Sequence, residues 1–283
     1  MLNTIEDIIL SKDGRGISNL RDCLTKDYCN QAAKFVLKNK GVVIITTGFY
    51  IARAGASETD GPPGAIAIGN ALEDLGYTVI YISDKYTVKY LSDMKKENAL
   101  IIEFPIEEDL PSKNFAINII NKYKPQLIIS IERCGFDETF SYRNMHGVDF
   151  SDYNAKIDYL FTNEINSVGI GDGGNEIGMG NFINKIIETP TLVKYPSITK
   201  TTFSIIASVS NWGGYGLVAA LSKIVGKNLL ISVEEEIELI NTLVDLGAVD
   251  GFSGESKYKV DGFNLHDNSF ALVNLHELIN KTI

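Results

Sequence analysis

Three loops of this sequence combine carboxylates, arginines and glycines in a pattern that could form a binding or catalytic site. The first reads TGFYIARAGASETDGPPGA and spans residues 47–65. It carries Arg53, Glu58 and Asp60, followed by two prolines that fix the backbone where a helix begins. A capping cluster on a tight turn is the structural alternative. A loop this long with mixed charge is more often functional than connective.

The second loop reads IERCGFDETFSYRNMHGVDFSDY and spans residues 131–153. Glu132 and Arg133 stand directly after an apolar run, so their side chains are expected at the end of a strand. Asn144 and His146 follow in the same loop. A single loop histidine is more often exposed or satisfied than functional, and His146 is therefore a reserve candidate for acid–base chemistry.

The third loop, SVGIGDGGNEIGMGN at residues 167–181, contains the G-x-G-x-x-G spacing of dinucleotide-binding turns. Asp172 lies inside that spacing, where its charge would repel a pyrophosphate. The acid that binds a ribose is expected about 20 residues further on, after the next strand. Glu188 has that distance but falls at the end of a predicted helix. We therefore expect no NAD, and nothing in the sequence calls for pyridoxal phosphate.

Asp172, Asn175 and Glu176 instead offer hard oxygen ligands on a loop whose glycines let the backbone approach closely. If the three loops converge, their carboxylates repel one another unless a bound cation, shared protons or arginines offset the charge. Arg53 and Arg133 are the arginines available in these loops. A divalent metal, Mg²⁺ or Mn²⁺, is the other solution.

Short apolar runs rich in β-branched residues predict the strands that must position these loops. They are Val42–Thr46, Thr78–Ile82, Leu100–Phe104, Leu127–Ile131, Val168–Ile170 and Phe203–Val209. Helical segments are predicted between them at Lys26–Lys38, Gly64–Leu75, Ser112–Lys122, Asp152–Asn163, Gly174–Ile187 and Gly213–Val225. This alternation predicts an α/β fold with a mostly parallel, doubly wound sheet, helices on both faces and active-site loops at the carboxyl ends of the strands.

Two more helices are predicted near the C-terminus. Ser232 and Glu235 have the spacing of a capping box at the start of a helix over Val233–Leu246. Asp267 is the predicted cap of a last helix over Asn268–Asn280.

Length and composition predict a single globular domain over residues 1–283, with a minor boundary near 190–200 as the only candidate break. The formal net charge of −10 argues against nucleic acid and against an anionic membrane surface as partners. A small molecule is the expected partner, and a homo-oligomer is compatible with the sequence.

Cysteine usage predicts a reducing cytoplasm. Cys23, Cys29 and Cys134 form an odd set without a C-x-x-C pair, so neither a disulfide framework nor a zinc site is expected. Cys134 stands beside an arginine, but no histidine is placed to activate it as a nucleophile. The N-terminus has acids where a signal peptide would be basic, and no apolar run approaches the ~20 residues that span a bilayer.

The same three loops carry a resemblance to the D-glutamate cyclase family. Further matching stretches are RGI at 15–17, SVSNWGGYG at 208–216, and GAVDGFSG with VDGF within 247–263. The similarity spans nearly the whole chain. Departures are Cys134, where proline is common in that family, and the stretches Glu255–Lys259 and Asn264–Asp267. These departures bear on substrate preference more than on the class of reaction.

The resemblance implies a carbon–oxygen hydro-lyase that converts D-glutamate to 5-oxo-D-proline with loss of water. In this reading Asp60, Glu132 and Asp172 form a metal or proton-sharing cluster, and either Glu58 or Glu176 is the general base. The residues expected to bind substrate are Arg53, Arg133, Asn144, Asn175 and Asn211, together with the oxyanion-binding backbone of Gly171, Gly173 and Gly174.

Two other classes of function fit the same loops. One is a non-catalytic sensor that binds an acidic amino acid or a nucleotide. The other is a metal-dependent phosphohydrolase, for which acidic strand-end loops would also serve.

Overall fold

Six parallel strands form the centre of the computed structural model, which describes residues 4–161 and 165–283. In chain order they are β1 (Val42–Thr47), β2 (Thr78–Ser83), β3 (Leu100–Glu103), β4 (Leu127–Ile131), β5 (Ser167–Gly171) and β6 (Phe203–Ile206). They lie side by side in the order β3-β2-β1-β4-β5-β6, and every neighbouring pair is parallel. The chain reverses its direction of winding between β1 and β4, which is where such sheets bind ligands.

Helices cover both faces of this sheet. They are α1 (Ile5–Ile9), α2 (Tyr28–Lys38), α3 (Pro62–Asp74), α4 (Lys85–Met94), α5 (Asp109–Tyr123), α6 (Ile183–Ile187), α7 (Ser210–Val225), α8 (Val233–Asp245), α9 (Leu265–Asn268) and α10 (Phe270–Asn280). Alternate residues of β1 enter different apolar cores: Val43 and Ile45 join the larger core, and Ile44 joins the core that contains α5 residues. The predicted doubly wound α/β fold is therefore confirmed.

The central strands were the most predictable elements. The predicted bounds of Leu127–Ile131 are those of β4, and all five of its residues are buried. The capping box is also confirmed: the Ser232 hydroxyl accepts the backbone N–H of Glu235 at 3.1 Å, and the Glu235 carboxylate accepts that of Ser232 at 2.7 Å.

Three local predictions were wrong, and one helix was missed. The segment 152–161 forms 3₁₀ turns at Ser151–Tyr153 and Ile157–Leu160, and residues 162–163 lie outside the described part of the chain. Within 174–187 only α6 is α-helical. Helix α4 was not predicted. Asp267 does not cap the last helix, α10, because it lies within the short helix α9. Its backbone N–H donates there to the Asn264 side chain, the cap of α9, at 2.9 Å.

Two short antiparallel hairpins extend the loops beyond the sheet. One pairs Tyr50–Ile51 with Ala56–Ser57 after β1, and the other pairs Lys259–Val260 with Phe263–Asn264 before α9. Among the residues that the structure describes, no helix has both the length and the apolar character needed to cross a bilayer.

Candidate active site

A cavity of about 440 Å³ lies beyond the carboxyl ends of β1, β4 and β5. Its charged lining consists of four carboxylates and two arginines: Glu58, Glu132, Asp172, Glu176, Arg15 and Arg53. The carboxylates are between 1% and 6% exposed, so they form the deep part of the cavity. The three loops predicted to converge therefore do so, at the switch point of the sheet.

Glu58 reaches the cavity from the hairpin after β1. Its backbone N–H donates to the Phe49 carbonyl at 3.0 Å, which fixes the strand that carries it. A Cβ placed on Gly251 would lie 1.7 Å from Glu58 Oε2, so only glycine leaves room for this carboxylate. Burial raises the pKa of Glu58 well above its ordinary value, and the nearby carboxylates of Asp261 and Asp60 raise it further.

Asp60 is buried behind the cavity and does not line it. Its carboxylate accepts the backbone N–H groups of Ser210 and Asn211 at 2.8 Å, which belong to the first turn of α7. Burial and the charge of Asp261 raise its pKa to about 7, against the lowering effect of those N–H donors. Asp60 thus holds the start of α7, beside the cluster but away from the cavity surface.

Asn211 is also placed behind the cavity. Its side-chain oxygen accepts the backbone N–H groups of Gly61 at 3.0 Å and Gly64 at 2.8 Å, and its amide donates to the Thr59 carbonyl at 3.2 Å. These bonds join the start of α3 to the start of α7. Direct contact between Asn211 and a substrate is therefore not supported by its position.

Glu132 follows β4 with a φ of 44°, a conformation that costs a residue with a side chain ~1–3 kcal/mol. The strained backbone directs its side chain toward α7, where Glu132 Oε2 accepts the Ser210 hydroxyl at 2.5 Å. Burial raises its pKa well above the ordinary value, with further increases from Glu176 and Asp60. A proton is therefore readily held at this position.

The Glu176 side chain binds the backbone of its own loop. Its carboxylate accepts the backbone N–H groups of Asp172 at 3.0 Å, Gly173 at 2.6 Å and Gly174 at 2.7 Å. The N–H groups of Gly173 and Gly174 were predicted to bind an oxyanion, and here they already donate to Glu176. Both oxygens of Glu176 are fixed in the same way, so this residue is poorly arranged to act as a general base.

Arg15 was missed as a functional residue. It comes from the segment before the first 3₁₀ turn and forms ion pairs with Asp172 and, at 2.8 Å, with Asp261. Burial lowers the pKa of Arg15, but Asp172 and Asp261 raise it more, so the net result lies well above the ordinary value. The only signal for it was the matching RGI stretch at 15–17.

Asp250 and Asp261 were missed as well. Asp250 is fully buried and organises its loop by accepting the backbone N–H groups of Ser253 at 2.9 Å and Gly262 at 2.7 Å. Asp261 stands at the turn of the second hairpin with a φ of 50°. The GAVDGFSG and VDGF stretches were the signals that could have identified them.

Asp172 is the residue best placed to hold a metal ion. Burial raises its pKa well above the ordinary value, although the pairing with Arg15 opposes this. Its Oδ2 atom is buried and has no hydrogen-bond partner among the described residues. Asp172 belongs to two groups of three acids, one with Asp60 and Asp261 and one with Glu132 and Glu176. Within each group, one carboxylate oxygen from each acid lies within 4.8 Å of the other two. The carboxylate oxygens fit a hard divalent cation. Asp60 and Glu132 were predicted to bind the same metal ion together with Asp172, but they belong to different groups.

Arg133 does not reach the cavity and does not fit its predicted role in binding substrate. It is completely buried and donates to Asp84 at 2.5 Å and to the carbonyls of Gly48 and Ala155 at 3.1 and 2.9 Å. The guanidinium therefore connects the ends of β1 and β2 to the segment after β4. A strand-end arginine and a buried structural arginine have the same sequence pattern, and only the partners distinguish them.

The remaining predicted residues lie mostly at the mouth of the cavity. Arg53 is exposed there and donates to the Phe252 carbonyl at 2.7 Å. Asn144, His146 and Asn175 also line the cavity, as does Gly173, whereas Gly171 and Gly174 do not. Asn175 donates to the Arg143 carbonyl at 2.8 Å, and Asn144 accepts two backbone N–H groups of its own turn.

Cys134 is buried and is not part of the cavity lining. Burial raises the pKa of its thiol well above the ordinary value, with the charges of Asp158 and Glu176 adding to the effect. A thiol held in its neutral form is a weak nucleophile. This placement gives no support to Cys134 as a nucleophile.

Comparison with known proteins identifies the family of this chain. The family model described as D-glutamate cyclase-like, C-terminal, matches residues 5–276. The chain is also 28% identical over 320 aligned positions to a human protein named D-glutamate cyclase, mitochondrial. That alignment covers 96% of this chain and 50% of the human protein, so the chain spans about half the length of this relative. The protein belongs to the D-glutamate cyclase-like, C-terminal family.

Proposed function

We propose that this chain is a carbon–oxygen hydro-lyase that cyclises D-glutamate to 5-oxo-D-proline with loss of water. The observation that carries the proposal is the set of buried carboxyl groups with raised pKa values around Arg15, in a cavity at the switch point of the sheet. Family membership and the name of the human relative support the same reaction.

The reaction joins the α-amine of the substrate to its γ-carboxyl carbon. The amine must lose a proton, and the carboxylate must lose an oxygen as water. Holding the two ends of glutamate in a ring-closing geometry removes much of the barrier, because the reacting groups then meet at a high effective concentration. A confined, largely buried cavity suits that task.

Glu58 is assigned as the general base. It lines the cavity and takes part in none of the ion pairs found among the described residues, whereas Asp172 is paired with Arg15. A carboxylate whose pKa is raised is a stronger base, so it accepts an amine proton more effectively than one with an ordinary pKa. The Glu132–Asp172 pair is assigned as the acid that protonates the departing oxygen.

Charge on the substrate requires compensation in so acidic a cavity. The ammonium group is attracted by the carboxylates, but the two substrate carboxylates are not. Arg53 at the mouth is assigned to bind one of them, because its guanidinium faces the cavity and donates to a backbone carbonyl instead of an acid. Arg15 offsets the carboxylates at the floor.

A divalent cation would complete this compensation. Mg²⁺ or Mn²⁺ would be held through Asp172, together with Glu132 and Glu176 or with Asp60 and Asp261, and would polarise the γ-carboxyl oxygens as a Lewis acid.

Incubation of the purified protein with D- or L-glutamate tests the proposal, with EDTA or with added Mn²⁺, and with 5-oxoproline measured by chiral chromatography. We expect lactam from D-glutamate and a lower rate with EDTA. Binding of glutamate without any lactam would instead indicate a sensor, and phosphate release from phosphoesters a hydrolase.

The variant Asp172→Asn tests the central residue. We expect kcat/KM for D-glutamate to fall by at least about 100-fold, because the asparagine neither shares a proton nor pairs with Arg15 as an anion. Asp152→Asn, at an exposed position outside the cavity, is the matched control. Circular dichroism checks that both variants are folded. Retained activity in Asp172→Asn would refute the assignment.

A further inference from the structure

The cavity is larger than glutamate requires. A water-sized group needs ~10–15 Å³ of cavity, so the ten non-hydrogen atoms of glutamate fill about 100–150 Å³. The cavity measures about 440 Å³. Roughly two thirds of it therefore stays unfilled when glutamate occupies the acidic floor.

The unfilled part has an apolar wall. Phe49, Tyr50 and Ile51 supply one side, and Met145, Val148 and Phe252 supply the mouth. The last three are 42%, 53% and 74% exposed, although all are large apolar side chains. Exposed apolar groups gathered around one opening mark a surface that binds a ligand. The carboxylates are deep and these groups are shallow, so an apolar ligand group would point outward from the acidic floor.

Charge favours a substrate with one carboxylate fewer. Of the two arginines that line the cavity, Arg15 is already paired with two acids, which leaves Arg53 to bind a substrate carboxylate. Free glutamate brings two carboxylates into this environment. A glutamate whose γ-carboxyl group is linked to an amine brings only one, and it keeps the α-ammonium group that the carboxylates attract.

On these grounds we propose that the site also takes γ-D-glutamyl amides whose amine carries an apolar substituent; this inference rests on the cyclase function proposed above. The α-amine nitrogen bonds to the γ-carbonyl carbon as the amide C–N bond breaks. The proton lost by the α-amine passes through a cavity carboxyl group to the departing nitrogen. The products are 5-oxo-D-proline and the free amine, and the step needs no water and no redox partner.

Two amides with the same reacting group test the proposal. In γ-D-glutamyl benzylamide the leaving amine carries a phenyl ring, and in γ-D-glutamyl methylamide it does not. We expect the benzylamide to have a kcat/KM at least about tenfold higher, which is the gain from burying an aromatic ring of that size. Release of 5-oxoproline and of amine is followed by chromatography, with D-glutamate assayed in parallel.

A variant tests whether the apolar substituent of the leaving amine binds at the mouth of the cavity. Phe252→Ala should lower the ratio of the two kcat/KM values at least about threefold, since it removes part of the wall at the mouth. Phe140→Ala is the matched control, because Phe140 is an exposed aromatic residue that does not line the cavity. The ratio is informative even if the absolute rates change.

The possible outcomes separate the two proposals. Lactam from D-glutamate with equal rates for the two amides, or with neither amide cleaved, would overturn this inference and leave the cyclase function standing. A benzylamide preference that Phe252→Ala does not change would also overturn it. No lactam from D-glutamate or from either amide would overturn both proposals.

Discussion

Glu236 is a fully buried carboxylate that joins α8 to α9 and α10. Its oxygens accept the Asn268 amide at 2.9 Å and the Ser269 hydroxyl at 2.5 Å, and Asn268 in turn accepts the indole N–H of Trp212 at 3.2 Å. Burial raises the pKa of Glu236 to about 6, although the hydrogen bonds from Ser269 and Asn268 oppose the shift. This residue should therefore make the stability of the fold depend on pH.

The direction of the effect follows from the two pKa values. The folded chain binds the Glu236 proton more tightly than the unfolded chain does, so the stabilising contribution is complete below pH 4.5 and is lost as the pH rises through about 6. A shift from 4.5 to about 6, at ~1.36 kcal/mol per pKa unit, corresponds to about 2 kcal/mol.

The variant Glu236→Gln isolates this contribution. Glutamine has nearly the same shape, and its oxygen can accept the Asn268 amide. Its NH₂ can donate to the Ser269 oxygen, whose single proton can then turn to the Leu265 carbonyl 3.0 Å away. The free energy of unfolding is measured in urea for both chains between pH 4 and pH 8. We expect the wild-type value minus the variant value to fall by about 2 kcal/mol across this range.

Comparing two chains removes the contributions of the other buried acids, which also favour the protonated folded state. Glu238→Gln, on the exposed side of the same helix, is the control and should follow the wild-type curve. A wild-type-minus-variant difference that stays constant from pH 4 to pH 8 would refute the reasoning.

Two further predictions concern the surroundings of the cavity. Arg133→Met should lower the free energy of unfolding by ~3–5 kcal/mol, because it leaves the buried Asp84 carboxylate unpaired, and Arg133→Met combined with Asp84→Asn should recover part of that loss in the same urea titration. An unchanged midpoint would show that the pair contributes no stability. Gly251→Ala should move the Glu58 carboxylate, since the added Cβ would lie 1.7 Å from Oε2. We expect the shift that relieves this overlap to reduce kcat/KM for D-glutamate by about 100-fold while thermal unfolding changes little, and a fully active variant would contradict the role of Glu58.

The sheet could be predicted because its signal is local. Strands buried on both faces favour largely apolar runs, and β4 (LIISI) and β5 (SVGIG) are buried throughout with a single serine each. Helix α4 was missed because KYTVKYLSDM is rich in aromatic and β-branched residues, whereas its start depends on the Asp84 side chain accepting the Tyr86 N–H at 3.1 Å. The prediction of a helix over 174–187 was wrong because the Glu176 side chain binds the backbone N–H groups of its own loop.

The site could be predicted in part, for a related reason. Glu58, Glu132 and Asp172 follow neighbouring strands, so topology alone brings them together. Arg15 and Asp261 reach the same place from segments outside the sheet, and no spacing rule relates them to it. Arg133 is the opposite case. Its position at the end of a strand predicted a role in binding substrate, but its buried hydrogen-bond partners indicate a structural role.

The pairing of Arg15 with Asp172 and Asp261 has a consequence for how the protein matures. The arginine lies near one end of this chain, Asp261 near the other, and Asp172 between them. All six strands of the central sheet lie in the middle of the chain, between Val42 and Ile206, whereas the Arg15 and Asp261 side chains come from the segments on either side. Contacts between residues so distant in sequence form late, because they close the longest loops. Catalytic competence should therefore appear after the bulk of the secondary structure during refolding, and it should disappear first when the outer segments loosen.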